Sequence, residues 1–377
     1  MNEISKSCLD SVEPYVVCAA IINTNAVVAN YQKIASLVNP ETKCSAVVKA
    51  DAYGLGAVKI APELEKIGCD EFFVATIDEG IELRNCLKND KSKIFVLGGV
   101  INNTEEYFTN NNLIPVIVND DQLTRWRKYG QKIERILPCV FHVDTGMARN
   151  GFTPERMIEI GKNDNLTNFD IKYIMSHFAC ADDVMSNKSK EQVNIFNDVC
   201  KFFQNIKRSM SSTNGIFLDR QYGYEMARIG KALYGFAIRD DLIGSLNPAI
   251  EIYARIVQIN EILPGQTVGY GATFKAKKRM KLATIGMGYA DGLMRKLSQF
   301  GYAYIDDFKV PMVGRISMDY AVFDVTDVPE EKIVLGNWMS LANSEATLEQ
   351  MSIDSGTIPH EITCKLGKRV KKIYVKN

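Results

Sequence analysis

Residues 46–57 read AVVKADAYGLGA, an apolar segment that runs into Lys49 and then into a turn with Gly54 and Gly56. The pattern predicts a β-strand with a lysine at its carboxyl end. If that strand belongs to a parallel barrel, its carboxyl end faces the active site. Burial there lowers the pKa of a lysine amine and prepares it to form a Schiff base with an aldehyde. A single lysine at a strand end is more often only a solvated charge. The rest of the chain is therefore needed to distinguish a Schiff-base lysine from a solvated one.

Short apolar runs rich in β-branched residues recur through the first two-thirds of the chain, and amphipathic stretches separate most of them. Strands that alternate with helices predict βαβ units and a parallel sheet. Eight such runs favour a closed (β/α)8 barrel over the alternative, an open doubly wound sheet. One intervening stretch, 77–87, is predicted to be a helix. The predicted strands are 45–48, 72–75, 94–97, 114–117, 139–142, 173–176, 215–218 and 232–235.

The pattern changes near residue 241, where alternating segments such as 250–256 and 321–325 are separated by turn residues. Long helical periodicity is scarce there, which predicts a mostly β domain. We therefore predict a barrel domain at 13–240 and a mostly β C-terminal domain at 241–377, with residues 1–12 packing against the latter.

Composition narrows the class of protein. The chain has 377 residues, and its 45 basic and 45 acidic side chains give a formal net charge of zero, which favours neither nucleic acid nor an anionic membrane as a partner. Nine scattered cysteines without a CxxC pair, together with only three histidines, predict reduced thiols and no metal site. The N-terminus lacks the apolar core of a signal peptide, and no apolar run has the length of a membrane span. We expect a cytoplasmic location.

The lysine segment resembles the cofactor-binding motif of the alanine racemase family. Six further segments resemble motifs of that family in the same order, so the resemblance extends through nearly the whole chain. It implies a pyridoxal 5'-phosphate (PLP) barrel followed by a β domain, and a homodimer with shared active sites. The implied reaction interconverts L- and D-alanine and supplies D-alanine for peptidoglycan. The further segments are 143–152, 176–182, 228–235, 268–274, 288–292 and 314–319.

Racemisation requires removal of the Cα proton from one face and its return on the other, and two opposed acid/base groups are the simplest arrangement. Lys49, which holds the cofactor, is the natural group on one face. The resemblance implies that Tyr270 of the second subunit acts on the other face. A tyrosine needs nearby positive charge and hydrogen bonds to act as a base near neutral pH, and His177 is the family-matched neighbour.

The resemblance also assigns cofactor contacts. Arg228 is the implied partner of the pyridine nitrogen, and a guanidinium donates to an unprotonated nitrogen because it has no acceptor. This gives a less stabilised carbanion than a carboxylate would. The implied phosphate ligands are Tyr53, Thr213 and the backbone of Gly230, near the loops where barrels often bind phosphate.

The substrate side is assigned in the same way. Arg149 is expected at the cofactor's phenolic oxygen or the substrate carboxylate. Met318 and Asp319 are expected to line the substrate pocket from the partner subunit, while Tyr289 and Arg295 resemble residues of the access channel.

Two positions depart from the family pattern. His142 stands where some members carry a carbamylated lysine that orients the arginine, so Arg149 must be held in another way. His360 stands where the family typically has a tyrosine, and we hypothesise a pocket of altered size or polarity that admits serine more readily.

Three alternatives stay open at this point. They are a serine or broad-specificity racemase, a non-catalytic PLP-binding barrel, and an amino-acid decarboxylase of similar architecture. The β domain argues against the binding protein. Cys364 lacks the aspartate that normally follows the decarboxylase cysteine.

Overall fold

The computed structural model of the chain describes residues 3–163, 166–236, 246–344 and 347–376. Helix α1 (Glu3–Asp10) and strand β1 (Cys18–Asn23) come first. An eight-stranded parallel sheet follows and forms a nearly closed barrel. Its strands are β2 (Lys43–Val47), β3 (Glu71–Val74), β4 (Lys93–Val96), β5 (Leu113–Ile117), β6 (Leu137–His142), β7 (Phe169–Met175), β8 (Lys207–Ser209) and β9 (Met226–Ile229).

The strand order is β8-β7-β6-β5-β4-β3-β2-β9, so β8 and β9 form the seam of the barrel. Just beyond β8, the Arg228 N–H donates to the Ser211 carbonyl oxygen over 2.9 Å. A parallel bridge also joins Ser212 to Arg228. Backbone contacts therefore close the seam near the carboxyl end of β9. The predicted (β/α)8 barrel is confirmed.

The last two predicted barrel strands were wrong. Residues 215–218 lie in an α-helix (Thr213–Leu218), and residues 232–234 lie in a 3-10 helix (Lys231–Tyr234). These helices are apolar because they contribute to the hydrophobic core, in which Ile216, Leu233 and Tyr234 are buried. The true strand β8 reads Lys-Arg-Ser and has no apolar run to reveal it.

The predicted helix at 77–87 is confirmed as α5, with a capping box formed by Thr76 and Glu79 at its start. The side chain of Thr76 accepts from the backbone, and the Glu79 side chain accepts from the backbone of the cap residue. The helices of this half are α2 (Thr24–Ala35), α3 (Lys49–Tyr53), α4 (Ala57–Lys66), α5 (Ile77–Cys86), α6 (Glu105–Asn110), α7 (Asp120–Lys132), α8 (Pro154–Asn163), α9 (Lys188–Cys200) and α10 (Thr213–Leu218). Of the described helices, none has the length and apolar character that a bilayer span requires.

The second sheet is mostly antiparallel and centres on the long strand β10 (Ile250–Ile262). It is confirmed as the predicted β domain. Its further strands, with the two-stranded β11–β12 hairpin, are β11 (Thr267–Val268), β12 (Phe274–Lys275), β13 (Met280–Ile285), β14 (Tyr302–Ile305), β15 (Phe308–Pro311), β16 (Ala321–Asp324), β17 (Trp338–Ala342) and β18 (Lys371–Val375), and its helices are α11 (Leu348–Ser355) and α12 (Pro359–Cys364).

Strand β1 does not belong to the barrel sheet, although residues 13–240 were predicted to form the barrel domain. It pairs antiparallel with β10, with Cys18 opposite Ala254, and parallel with β18. Its apolar residues are buried between these two neighbours, so the chain passes through the second sheet before it enters the barrel. In helix α1, Leu9 packs in one cluster with Ala19 and Tyr253. The predicted boundary at 240/241 lies outside the described residues.

Candidate active site

A cavity of about 830 Å³ opens at the carboxyl ends of the barrel strands. Its volume lies within the range that is usual for cofactor and substrate sites. Histidines at 142 and 360 also line it. The predicted site residues that line it are Lys49, Tyr53, Arg149, His177, Thr213, Arg228 and Gly230.

Lys49 is separated from the end of β2 by Val48 alone, and the backbone after it has an unusual conformation. Ala50, Asp51 and Ala52 have φ of 52–53° and ψ of 49–52°, and Tyr53 has φ of 57°. Helix α3 is therefore left-handed after its first residue. Each non-glycine residue in this region costs about 1–2 kcal/mol, so the surrounding structure must enforce the turn. Burial lowers the pKa of Lys49, and the positive charge of Arg149 lowers it further.

The end of the left-handed turn packs against helix α12. Gly54 has φ of 86°, and a Cβ at this position would lie 2.1 Å from the Thr363 carbonyl oxygen. Only glycine satisfies both the backbone angle and this close approach. The glycine of the lysine motif is thereby explained by packing between the barrel and the C-terminal domain.

Arg228 is a buried arginine at the carboxyl end of the barrel with neutral partners. It donates to Ser209 Oγ over 2.5 Å and to the carbonyl oxygens of Ser176 and Met210 over 2.7 and 3.1 Å. Burial lowers its pKa to about 9. A side chain held in this way is a fixed hydrogen-bond donor with no carboxylate among these partners.

Two histidines near Arg228 are held neutral. Arg228 Nη2 lies 3.1 Å from His177 Nδ1. Burial lowers the pKa of His177 well below its usual value, and Arg228 lowers it further. His142, the last residue of β6, has its pKa lowered to about 3 by burial and then by Arg228 and Arg149. The positive charge of the site therefore lies on its arginines rather than on its histidines.

Thr213 and Gly230 form a small cradle next to Tyr53. The Gly230 N–H donates to Thr213 Oγ1 over 3.0 Å, which leaves the threonine hydroxyl proton free to donate elsewhere. A Cβ on Gly230 would lie 2.7 Å from the Tyr53 hydroxyl oxygen, so any other residue would fill this space. Burial raises the pKa of Tyr53 to about 12, which keeps its hydroxyl protonated as a donor. These donors fit an anionic group.

His360 projects from α12 beside this cradle. Its ring centroid lies 5.7 Å from that of Tyr53 and 6.3 Å from that of Phe236. Its Nδ1 is buried and has no hydrogen-bond partner within the described part of the chain.

Arg149 also has no hydrogen-bond partner among the described residues. The described residues therefore contain no group that supports Arg149 in place of the carbamate.

Three predicted site residues do not line the cavity of their own chain. Tyr270 is 69% exposed and Met318 is 53% exposed. Asp319 forms an ion pair with Arg369, whose Nη1 lies 2.7 Å from its Oδ1. Tyr289 is also exposed, as is Arg295.

Sequence reasoning missed two residues that connect segments near the predicted site residues. Arg369 joins Asp319 to the buried Asp291, and Glu79 joins Ala50 to the exit of β3. The capping-box spacing of Thr76 and Glu79 was a visible signal for a helix start, but it did not show that the same carboxylate reaches the lysine turn.

Known proteins resemble the chain over nearly its full length. The model for "Alanine racemase, N-terminal domain" matches residues 22–237, and that for "Alanine racemase, C-terminal domain" matches residues 249–374. The alanine racemase of Rickettsia akari is 36% identical over 363 residues, which cover 95% of this chain and 99% of the relative. That of Brucella ovis is 35% identical over 360 residues, covering 92% of this chain and 90% of the relative. The chain belongs to the alanine racemase family.

Solved structures of the family agree with this assignment. Alanine racemase from Bartonella henselae, which contains covalently bound pyridoxal phosphate, has a TM-score of 0.91 at 38% identity. It covers 95% of this chain and 99% of its own. Alanine racemase from Clostridium difficile has a TM-score of 0.88 at 29% identity and covers 96% of each chain. All these relatives are alanine racemases, so the comparisons do not favour a serine racemase, a binding protein or a decarboxylase.

Proposed function

We propose that this protein is a PLP-dependent alanine racemase, a cytoplasmic homodimer that supplies D-alanine for peptidoglycan. One observation carries the proposal. A single cavity is lined by Lys49, the Arg228–His177 pair and the Thr213–Gly230 cradle. Family membership adds the reaction and the cofactor, since the related Bartonella enzyme holds covalently bound pyridoxal phosphate.

The residues of the cavity fit PLP. Lys49 would hold the cofactor's aldehyde carbon, and Arg228 would donate to the pyridine nitrogen. Thr213, Gly230 and Tyr53 would hold the phosphate, where the space that a Cβ on Gly230 would fill stays open. When bound, PLP withdraws electrons from the substrate and so acidifies its Cα proton. Because Arg228 is a donor without acceptor capacity, it would favour an unprotonated pyridine nitrogen.

The chain's own residues supply the proton transfers. Lys49 Nζ carries a proton to or from one face of Cα, and its lowered pKa favours the neutral amine that can accept it. Tyr270 of the partner subunit acts on the opposite face through its hydroxyl oxygen, with neutral His177 as its neighbour. Arg149 binds the substrate carboxylate or the cofactor's phenolic oxygen.

Exposure of Tyr270 and Met318 supports the shared active site of a homodimer. Tyr270 lies in a tight turn at the tip of the β11–β12 hairpin, between Gly269 and Gly271, which both have positive φ. A large side chain presented in this way from a glycine-flanked turn is suited to enter a neighbouring subunit. Met318 and Asp319 would line the substrate pocket from the same partner.

A complementation experiment tests the shared site. Lys49→Ala and Tyr270→Phe each abolish one acid/base group, so each homodimer loses activity. If the two groups come from different subunits, a heterodimer of these variants contains one intact site, and random exchange restores about a quarter of wild-type activity. No recovery after demonstrated subunit exchange would contradict the shared site.

The reaction itself is tested with L-alanine in deuterated water. A racemase yields D-alanine that carries deuterium at Cα, because the returned proton comes from a group that exchanges with solvent. Release of carbon dioxide would instead identify a decarboxylase. PLP binding without either product would identify a binding protein.

Support for the cytoplasmic location comes from the nine cysteines, all of which are free thiols.

A further inference from the structure

Glu79 makes a contact that the family resemblance does not assign. Its Oε1 accepts a hydrogen bond from the Ala50 N–H over 2.6 Å, and its Oε2 accepts one from the Ala75 N–H over 2.7 Å. The first N–H belongs to the peptide unit directly after Lys49. The second lies at the exit of the neighbouring strand β3. One carboxylate therefore ties the residue after the cofactor lysine to the barrel rim.

The turn that receives this bond cannot hold its shape by itself. Its four non-glycine residues with positive φ persist only where the surroundings determine them. Asp51 supports the middle of the turn, where its Oδ1 accepts from the Ala57 N–H and its Oδ2 from Lys372 Nζ, each over 2.8 Å. Thr363 closes the far end against Gly54. Glu79 supports the start, nearest Lys49.

We propose that Glu79 is a positioning residue for Lys49, which fixes the peptide after the lysine and places a negative charge beside its amine. This inference rests on the proposed function. Helix α5 holds the carboxylate in place because Glu79 is its third residue and forms the capping box with Thr76. The same side chain thus caps helix α5, accepts a hydrogen bond from the residue after β3 and orients the lysine.

The charge of Glu79 opposes the effect of two arginines on Lys49. Arg149 and Arg228 lower the pKa of the lysine, whereas Glu79 and Cys364 raise it. His177 and His360 face the same amine and are held neutral, since burial lowers the pKa of both. Glu79 thus places a carboxylate charge that favours the protonated form of Lys49.

Glu79→Gln separates the positioning role from a purely structural one. Glutamine has the same length but offers one acceptor oxygen in place of two, so it cannot serve both the Ala50 and Ala75 N–H groups. The matched control is Glu82→Gln, which removes one negative charge from an exposed position on the same helix. Both variants are compared with wild type as full-length proteins.

The first readout is the rate at which the cofactor-free protein captures added PLP, measured as a function of pH. For Glu79→Gln we expect the plateau rate to fall about tenfold or more, since a small displacement of a reacting group is costly. We also expect the midpoint of the profile to move to lower pH, because a charge that raises the lysine pKa is lost. Glu82→Gln should match wild type in both respects.

The second readout is the steady-state kinetics of the holoenzyme, in which kcat should fall while KM stays within about threefold. If Glu79→Gln captures PLP with the wild-type rate and midpoint, the inference is overturned. A loss of stability with an unchanged pH profile would also overturn it, because that is the signature of helix capping alone. Failure of the wild-type protein itself to take up PLP would instead refute the proposed function.

Discussion

Arg228 donates a hydrogen bond to Nδ1 of His177 over 3.1 Å, and this contact fixes the tautomer of the histidine. Because a guanidinium has no acceptor, Nδ1 must be the acceptor and the ring proton must lie on Nε2. His177 is therefore a neutral side chain whose Nε2–H, which has no partner in the described ranges of the chain, can donate to an incoming tyrosine oxygen.

We predict that Arg228→Lys lowers kcat/KM about 100-fold or more, since lysine cannot reproduce the four hydrogen bonds of the guanidinium. Nitrogen-15 NMR of the wild-type protein should show His177 as the Nε2–H tautomer at neutral pH. Arg208→Lys is the control, because Arg208 pairs with Glu225 away from the cavity. Equal losses in both variants would contradict the role assigned to Arg228.

Much of the fold was predictable because six barrel strands are apolar runs flanked by helical periodicity. Lys49 also lines the cavity at the carboxyl ends of the barrel strands, which is where its position after an apolar run predicted it to lie. Strand β8 escaped prediction since its Lys-Arg-Ser sequence has no strand pattern. Strand β1 was not among the predicted strands, and its residues were included in the barrel domain, because an apolar segment does not reveal its partner across more than 200 residues. The Glu79–Ala50 bond was hidden for the same reason, as it depends on tertiary geometry.

His142 should make the protein sensitive to mild acid. Its pKa is lowered to about 3 in the folded state, whereas the unfolded side chain titrates near 6.5. Below about pH 6.5 the unfolded chain binds the proton and the folded one does not, so folding stability falls as the pH falls toward 3. His177 acts in the same direction.

His142→Asn removes this proton linkage. Between pH 7 and pH 5 the wild-type protein should lose about 2 kcal/mol more free energy of unfolding than this variant. Urea unfolding of both proteins at fixed protein concentration and at each pH measures the difference. Parallel pH dependences of the two proteins would show that His142 is not neutral in the folded state.

Glu71 is a buried carboxylate at the amino end of β3, opposite the strand ends that surround the cavity. It accepts hydrogen bonds from Lys93 Nζ over 2.8 Å and from the Tyr173 hydroxyl over 2.9 Å. We expect Glu71→Ala to cost about 3 kcal/mol of unfolding free energy, because it leaves the buried phenol without its partner. Glu71→Gln, which keeps an acceptor, should cost about half as much.

Asp170→Asn is the control for Glu71, since it breaks an exposed ion pair with Lys172. It should change the unfolding free energy by less than about 0.5 kcal/mol. Chemical denaturation measures all three variants, and racemase activity per folded molecule should be unchanged. Full stability of Glu71→Ala would show that the buried network contributes nothing net.

Arg369 connects the loop of Asp291 to the loop of Asp319, and the latter is expected to reach the partner's substrate pocket. It binds Asp291 through Nε and Nη2 over 2.7 and 3.0 Å, and Asp319 through Nη1 over 2.7 Å. The neighbouring loop backbones are also joined, as the Ala290 N–H donates to the Met318 carbonyl oxygen. We predict that Arg369→Gln raises KM for alanine about tenfold with little change in kcat, because substrate contacts loosen while the proton-transfer groups stay in place. A fall in kcat at constant KM would contradict this role.

His360 offers a test of substrate choice. Its buried Nδ1 has no hydrogen-bond partner among the described residues, so a polar group that enters this part of the cavity can gain a bond there. If that group is the hydroxyl of serine, His360→Tyr should lower kcat/KM for serine relative to alanine about fivefold or more. Racemisation of both amino acids by wild type and variant gives this ratio directly. Retention of PLP by the variant must be verified first, since His360 lies beside Tyr53 and the phosphate cradle. An unchanged ratio in a fully loaded variant would mean that His360 does not set the preference between these two substrates.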